Sequence, residues 1–423
     1  MLLQFSVKNY LSYRDEKILS LVPSSDKELV SNIKTRGKYK ALDVITIYGA
    51  NASGKTALFK AMTVALNIIR NSTKMQINEA IPVIPFFLDE ESRNKPTSFE
   101  FQFVAEDDKK YIYGFSAFPD RVTEEYLYCY NTNRPTKVFD RKNGQYTYSR
   151  SYVNELKKYE EMNTPNKLFL ATATNWNSEI TKYAYKWLSE GIDTNTDFQN
   201  FEQFSLAKYR EEADQGKNEY LKFALEMLKN ADINISDINF KYRDLSNNAE
   251  LMGQFPQIVI NNQKQKAQLI QYEISAVHSV INEKGKKKNY SLPMSEESMG
   301  TRLIFMFAPF IKDTFDKSKV FVIDEIDKSL HPLLVKSLFQ LFSSERSNGS
   351  QLIATTHDTS QMSLRRLRRD QIYLTEKNQE NGVSDLYSLD DFERPVRKNE
   401  NIEKGYLLGR YGAIPIITAE DII

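Results

Sequence analysis

The chain has 423 residues, 41% hydrophobic and 27% charged, with 57 Lys and Arg set against 56 Asp and Glu. That length predicts two or three lobes, and the apolar share excludes wholesale disorder. A net charge of +1 excludes a globally basic nucleic-acid binder, and the one cysteine, Cys129, excludes a disulfide framework or a cysteine-rich zinc module. Three histidines, His278, His331 and His357, leave little room for a histidine metal cage.

The opening MLLQFSVKNYLSYRDEK alternates polar and apolar residues and reads as a strand, not as a signal peptide. No stretch approaches the roughly 18 apolar residues needed to cross a bilayer. The expectation is a cytoplasmic protein with no membrane partner. Leu3, Phe5 and Val7 alternate, and further apolar runs cover Ile18 to Val22 and Val44 to Tyr48. From Lys55 to Arg70 the period becomes helical, with Leu58, Met62, Ala65 and Ile69 on one face. Thr97 to Arg150 returns to period two and predicts an antiparallel meander, with a hairpin turn at Asn143-Gly144.

Residues 151–290 read differently. SYVNELKKYEEM, SEITKYAYKWLSEG and KNEYLKFALEMLKN predict helices with polar connectors, and QIVINN and LIQYEISAV predict strands. No heptad seam persists, which argues against a long coiled coil. The last third alternates strand and helix: KVFVIDE, LHPLLVKSLFQLF, QLIATTHD and DQIYLTE, the rhythm of a parallel sheet. The expected organisation is a first lobe over 1–150, a mainly helical insertion over 151–290, and a second lobe over 291–423.

Gly49 to Thr56 reads GANASGKT and satisfies G-x-x-x-x-G-K-[ST] between an apolar strand and an amphipathic helix. In such a loop the glycines let backbone N–H groups curl around phosphate oxygens without a Cβ clash. Lys55 is the residue that reaches the β- and γ-phosphates, and the Thr56 hydroxyl ligates Mg²⁺. The helix N-terminus adds partial positive charge.

Farther on, KVFVIDEID delivers Asp324 and Glu325 to the C-terminal edge of a predicted parallel strand, where ligands bind in open α/β sheets. Two adjacent carboxylates repel one another, so a cation and a triphosphate give the pair a reason to exist. Asp324 is the expected Mg²⁺ partner opposite Thr56. Glu325, on the other side of the pleat, is the expected base for an attacking water. QLIATTHD places His357 at the end of the next strand, where a neutral imidazole can sense a γ-phosphate. Ser298-Met299-Gly300-Thr301 opens an apolar helical run, and a Ser and Gly there either cap the helix or bind a second nucleotide's γ-phosphate.

In order, GANASGKT, SMGT, VFVIDEID with SLHP, and TTHD resemble the motifs of ABC-type ATPase heads of the SMC/Rad50 kind. There they are the Walker A, the signature, the Walker B with D-loop, and the switch histidine. VKNYLSY resembles the first strand of those heads. The ending RRDQIYLTEK…KGYLLGRYGAIP is similar to the AAA15 ATPases, which include the Rlo and abortive-infection ATPases of bacterial phage defence. The resemblance covers residues 1–105 and 290–423.

The resemblance implies an α/β, ABC-type P-loop head, with a mixed sheet and an antiparallel β subdomain, carrying a mostly helical insertion. It implies ATP and Mg²⁺ as cofactors. Gly49, Asn51, Ser53, Gly54, Lys55 and Thr56 would hold the nucleotide of one copy, while Ser298, Gly300 and Asp327 reach it from a second copy. Lys55, Glu325 and His357 would carry the chemistry, with Thr56 and Asp324 on the metal. SMGT is shorter than the usual signature, Leu11 stands where those heads often carry Arg with Arg14 nearby, and the glutamine that usually follows Walker A has no assigned position, Gln102 falling in a predicted strand.

The function implied is an ATP-driven sensor in an anti-phage system, acting as a homodimer on a separate nuclease effector of Toprim or RNase type, with DNA or a phage protein as trigger. The stretch after His357 is too short for a Toprim nuclease, which needs roughly a hundred residues. A second reading is a DNA-binding repair ATPase of RecF type, supported by Lys284, Lys286, Lys287 and Lys288 and by Arg365, Arg366, Arg368 and Arg369. A transporter subunit fits poorly, and no N-K-x-D string supports a GTPase.

Overall fold

The computed structural model describes residues 1–195, 198–231, 233–245, 269–281, 285–328, 331–394, 396–397 and 399–414. The strand expected at 257–262, and Lys284, Ser329 and Leu330, lie outside them.

In chain order the elements begin with strands β1 (Leu2–Lys8), β2 (Lys17–Ser20), β3 (Ile33–Arg36), β4 (Tyr39–Leu42) and β5 (Val44–Gly49). Helices α1 (Lys55–Asn71) and α2 (Glu90–Arg93) follow, then β6 (Thr97–Val104), β7 (Lys110–Ala117), β8 (Val122–Tyr130), β9 (Thr136–Lys142) and β10 (Gln145–Tyr148). Next come α3 (Val153–Leu156), α4 (Phe169–Asn175), α5 (Glu179–Glu190), β11 (Ile192–Asn195), α6 (Phe198–Asp214) and α7 (Glu219–Asn230). Strands β12 (Asp237–Asp244), β13 (Ile270–Ile281) and β14 (Lys287–Pro293) precede helix α8 (Met299–Asp316) and β15 (Val320–Ile323). The chain continues through α9 (Pro332–Ser343), β16 (Gln351–Thr355), β17 (Ile372–Lys377), β18 (Ser384–Ser388) and α10 (Ile402–Leu407).

The chain divides into two compact units. One comprises Met1–Thr196, Thr314–Lys328 and Val335–Ile423; the other comprises Asp197–Asp313 and Ser329–Leu334. Residues 151–195, expected to open the helical insertion, thus belong to the first unit. The reason is visible at β11, which pairs parallel with β15 and completes the edge of its sheet.

The first unit is mixed α/β. A six-stranded sheet runs β11-β15-β16-β5-β17-β18, parallel except for the antiparallel β17–β18 pair. A seven-stranded antiparallel sheet runs β10-β9-β8-β7-β6-β1-β2. Their sequences differ as burial requires. β5 is buried at every position, as suits a strand covered on both faces, whereas β6 alternates buried and half-exposed residues along most of its length. Asn143 and Gly144 both have positive φ (48° and 80°), the geometry of a tight hairpin between β9 and β10. The main apolar cluster gathers Phe5, Phe101 and Phe103 of one sheet, Ile45 and Ile47 of the other, and Leu58 and Met62 of α1.

One buried ion pair ties the meander to a helix. Glu125 accepts from the backbone N–H groups of Phe169 (2.6 Å) and Leu170 (2.9 Å) at the start of α4, and faces Arg141 at 3.5 Å. Arg141 in turn donates to the carbonyls of Lys167 and Pro165. A carboxylate at a helix N-terminus is favourable, and the arginine relieves its burial.

In the second unit, β12, β13 and β14 form an antiparallel sheet beside α6, α7 and most of α8. Helix α8 contains Pro309, which has no N–H to give the carbonyl of Phe305. The Tyr209 hydroxyl donates to that carbonyl instead, at 2.7 Å, and Ser205 Oγ donates to the next one, of Met306, at 2.9 Å.

Candidate functional site

The P-loop leaves the end of β5, between β16 and β17, and enters α1. Its glycines are fixed by close approach to neighbouring strands. A Cβ on Gly49 would lie 2.3 Å from the Thr375 carbonyl, and one on Gly54, whose φ is +124°, would lie 2.7 Å from Ser384 Oγ. Ser53 Oγ is 2.6 Å from Thr375 Oγ1, and the Tyr13 hydroxyl donates to the Gly54 carbonyl. Lys55 Nζ donates to the carbonyls of Gly49 (2.7 Å) and Ala50 (2.9 Å). Burial lowers the pKa of this ammonium, opposed by the charges of Asp324, Glu325 and Asp327.

The acidic residues lie beside the loop. β15 is wholly buried and stops at Ile323, so Asp324 and Glu325 stand beyond the strand rather than on its pleat. Glu325 has φ of 51°, an uncommon conformation for a residue with a side chain. Thr355, at the end of β16, sets the turn: its Oγ1 donates to Asp324 Oδ1 (2.5 Å) and accepts from the Glu325 N–H (2.7 Å). Its carbonyl takes the Ile326 N–H. Thr56 Oγ1 donates to Asp324 Oδ2 at 2.8 Å, which closes the link between P-loop and acidic strand. Asp327 accepts from the backbone N–H of His357, at 3.1 and 3.2 Å to its two oxygens, so it engages the histidine turn of its own chain. His357, Glu325 and Thr56 are exposed.

A hydroxyl and a carboxylate converging on one point are the hard oxygen donors that Mg²⁺ takes, its remaining positions falling to phosphate and water. Among the described residues no group of three or more His, Cys, Asp or Glu is arranged for a metal, and an Mg²⁺–phosphate site needs none.

Asn51 and Ser53 line an open cleft of roughly 1480 Å³ beside the loop, together with Arg14, His357, Tyr406 and Ala413. Gln102 lies on β6 and donates to Glu100. Ser298, Gly300 and Thr301 belong to the second unit. There Ser298 Oγ accepts from the Thr301 N–H at 3.1 Å, the bond of an N-cap, and Ser298 itself is exposed. Of the four arginines near the end, Arg368 is buried, paired with Asp370 and donating to the carbonyls of Asp26 and Glu28, while Arg369 lies 3.6 Å from Asp26. Arg368 is structural, because a loop of carbonyls needs a buried donor. Lys287 and Lys288 lie on β14, which is exposed throughout.

Sequence reasoning missed Thr355, Thr375 and the segment Gly405–Ala413. The string KGYLLGRYGAIP carries the family resemblance, but nothing local in it marks the contact of this segment with the loop. The Ala50 N–H donates to the Ala413 carbonyl at 3.0 Å.

A P-loop whose threonine bonds an acidic residue at the end of the next but one strand defines a P-loop nucleotide-binding head. The family comparison agrees. Residues 44–363 match the family model described as "AAA domain, putative AbiEii toxin, Type IV TA system". The chain belongs to this AAA-domain family of ATPases. Among solved structures it is similar to an Smc head bound to the C-winged helix domain of ScpA, with 14% identity, 92% of this chain and 97% of that one covered, and a TM-score of 0.42. It is also similar to the SMC head domain from Thermotoga maritima, at 12% identity, 94% and 99% coverage and a TM-score of 0.40. No curated protein matches. No helix among the described residues is long and apolar enough to cross a membrane.

Proposed function

We propose that this protein is a Mg²⁺-dependent ATP phosphohydrolase whose complete site forms between two copies, and that it serves as the regulatory ATPase of an anti-phage system controlling a separate Toprim or RNase-type nuclease, with DNA or a phage protein as trigger. The observation that carries the nucleotide reading is the bond from Thr56 to Asp324, which brings the two halves of a phosphate–metal site together. The family description, with its putative AbiEii toxin, supports the defence setting.

In this mechanism the loop N–H groups of Gly49–Thr56 hold the phosphates, and Lys55 leaves its carbonyl partners for the β- and γ-phosphates. Bound at Thr56 and Asp324, Mg²⁺ would neutralise charge on the triphosphate. Glu325, aimed by its left-handed backbone and by Thr355, accepts the proton of the attacking water. His357, held by Asp327, meets the γ-phosphate. Ser298, Gly300 and Thr301 of a second copy close the site, so ATP favours the paired state because only that state offers both surfaces.

The test is Glu325→Gln. It is expected to bind ATP with little change, to lower kcat about a hundredfold or more, and to run as a dimer with ATP on a sizing column. A variant that turns over ATP normally, or remains monomeric with ATP, sinks the composite site. The RecF-type DNA-binding alternative keeps the exposed Lys287 and Lys288 in its favour. It loses Arg368 and Arg369, which are committed to internal partners.

A further inference from the structure

The stretch Ile402–Ala413 lies outside the nucleotide motifs, yet it touches the nucleotide site twice. At one end its Ala413 carbonyl accepts the N–H of Ala50, the second residue of the P-loop, at 3.0 Å. The same carbonyl accepts the Tyr406 hydroxyl at 3.0 Å, and the Ala413 N–H donates to Glu376 Oε2 at 3.0 Å. Glu376 follows Thr375, the residue paired with Gly49 across β17 and β5. At the other end, Glu403 on α10 accepts from Thr359 Oγ1 at 2.9 Å, two residues beyond His357.

The segment is built to hold one shape. Ala413 has φ of 59° and Gly412 φ of 70°; a Cβ on Gly412 would lie 2.7 Å from both Glu376 Oε2 and the Tyr387 hydroxyl. Gly405 lies so close under the Tyr411 ring that a Cβ would come to 2.7 Å. Tyr406 is buried with its ring 6.4 Å from that of Tyr48 on β5, and Tyr387 donates to the Tyr411 carbonyl. A left-handed alanine and a buried tyrosine whose hydroxyl serves one carbonyl are costly unless that carbonyl has to be held in place.

The bonds at Ala50 show what is being held. Its N–H goes to the strap, and its carbonyl takes Lys55 Nζ (2.9 Å) and the Ser53 N–H (3.3 Å). The Gly49 carbonyl, which shares a peptide unit with the Ala50 N–H, takes Lys55 Nζ at 2.7 Å; when Lys55 turns to a phosphate, that peptide loses its carbonyl partner and the strap still holds it through the N–H. Because the strap also grips Thr359, a shift of the His357 turn is passed to the loop mouth through one short, packed element.

We propose that Ile402–Ala413 is a positioning strap that links the P-loop to the histidine turn, with Tyr406 and Glu376 setting the loop end and the Thr359–Glu403 bond setting the histidine end. None of these residues touches the reacting atoms. The proposal rests on the nucleotide reading given above, so its test carries a readout that does not need ATP.

The variants are Tyr406→Phe, which keeps the ring and removes the hydroxyl, and Thr359→Val, with Thr359→Ser as the conservative control. Hydrogen–deuterium exchange is measured on the full-length chain without nucleotide. Tyr406→Phe is expected to speed amide exchange over residues 49–54 about fivefold, and Thr359→Val to do the same over 357–361, each bond being worth a few-fold. In ATPase assays Tyr406→Phe raises KM about fivefold, whereas Thr359→Val lowers kcat about fivefold at nearly constant KM and Thr359→Ser restores it. The double variant falls short of the product of the two. Unchanged exchange in both segments, or strictly multiplicative kinetic effects, overturns the strap. Normal exchange effects in a protein that neither binds nor hydrolyses ATP would overturn the nucleotide reading instead and leave the strap standing.

Discussion

Helices α1 and α8 both begin at candidate phosphate-binding turns, and they are anchored in opposite ways. The turn before α1 is tied to its surroundings by residues remote in sequence: Thr375 beside Ser53, Tyr13 on Gly54, Asp324 on Thr56, Ala413 on Ala50. The turn before α8 is closed mainly by its own cap, Ser298 to Thr301, with the preceding Glu297 held by His278 of β13, and presents Ser298 and Met299 to solvent. A turn held from all sides is preorganised for its ligand and pays little to bind it. A turn closed mainly by its own cap keeps its serine at the surface, open to a face that arrives later.

The largest expected effect is on the anchored turn. Lys55→Ala should weaken ATP binding on the order of a hundredfold, because a charged bond to phosphate is lost; calorimetric titration measures it. Binding within a few-fold of the parent would break the contrast. Ser298→Ala should act differently. It is expected to cost about 1 kcal/mol of stability through the lost cap, to leave ATP affinity nearly unchanged, and to lower turnover about tenfold by weakening the closure of two copies. If affinity instead falls in step with Lys55→Ala, the serine corner is not the separate surface supposed here.

The smallest expected effect sharpens the anchoring side. Asp43, buried just before β5, accepts from Gln371 Nε2 at 2.8 Å. Its pKa is pushed up from 3.8 to about 6, chiefly by burial, with Ser343 and Lys34 opposing. A carboxyl group whose pKa is raised on folding stabilises when protonated, so this contribution is full below about pH 3.8 and is lost as pH rises through about 6. Asp43→Asn should remove that loss, so its urea midpoint gains on the parent between pH 4 and pH 7. A pH-independent difference would show that Asp43 ionises normally.

Much of the site was legible because its chemistry is local. The glycine and lysine spacing of the P-loop, the carboxylates after a four-residue apolar run, and the turn at Asn143-Gly144 each need only neighbours in the chain. What escaped reading depends on residues brought together from afar. Thr355 looks like any strand-end threonine, although it sets both acidic residues. The arginine run near the end reads as a surface patch, although Arg368 is among the most buried large side chains. Strand β11 is four residues long with no strong alternation, so only its pairing with β15 reveals where the first unit ends.

The threonine at the end of β16 has a wider consequence. Because the acidic turn takes its shape from a hydroxyl one strand over, the two carboxylates are not a portable cassette. Transplanting VIDE into another parallel sheet would carry the charges without the frame that aims them. Replacing Thr355 by valine, a change that keeps size and strand preference, would leave the fold legible and the aim lost.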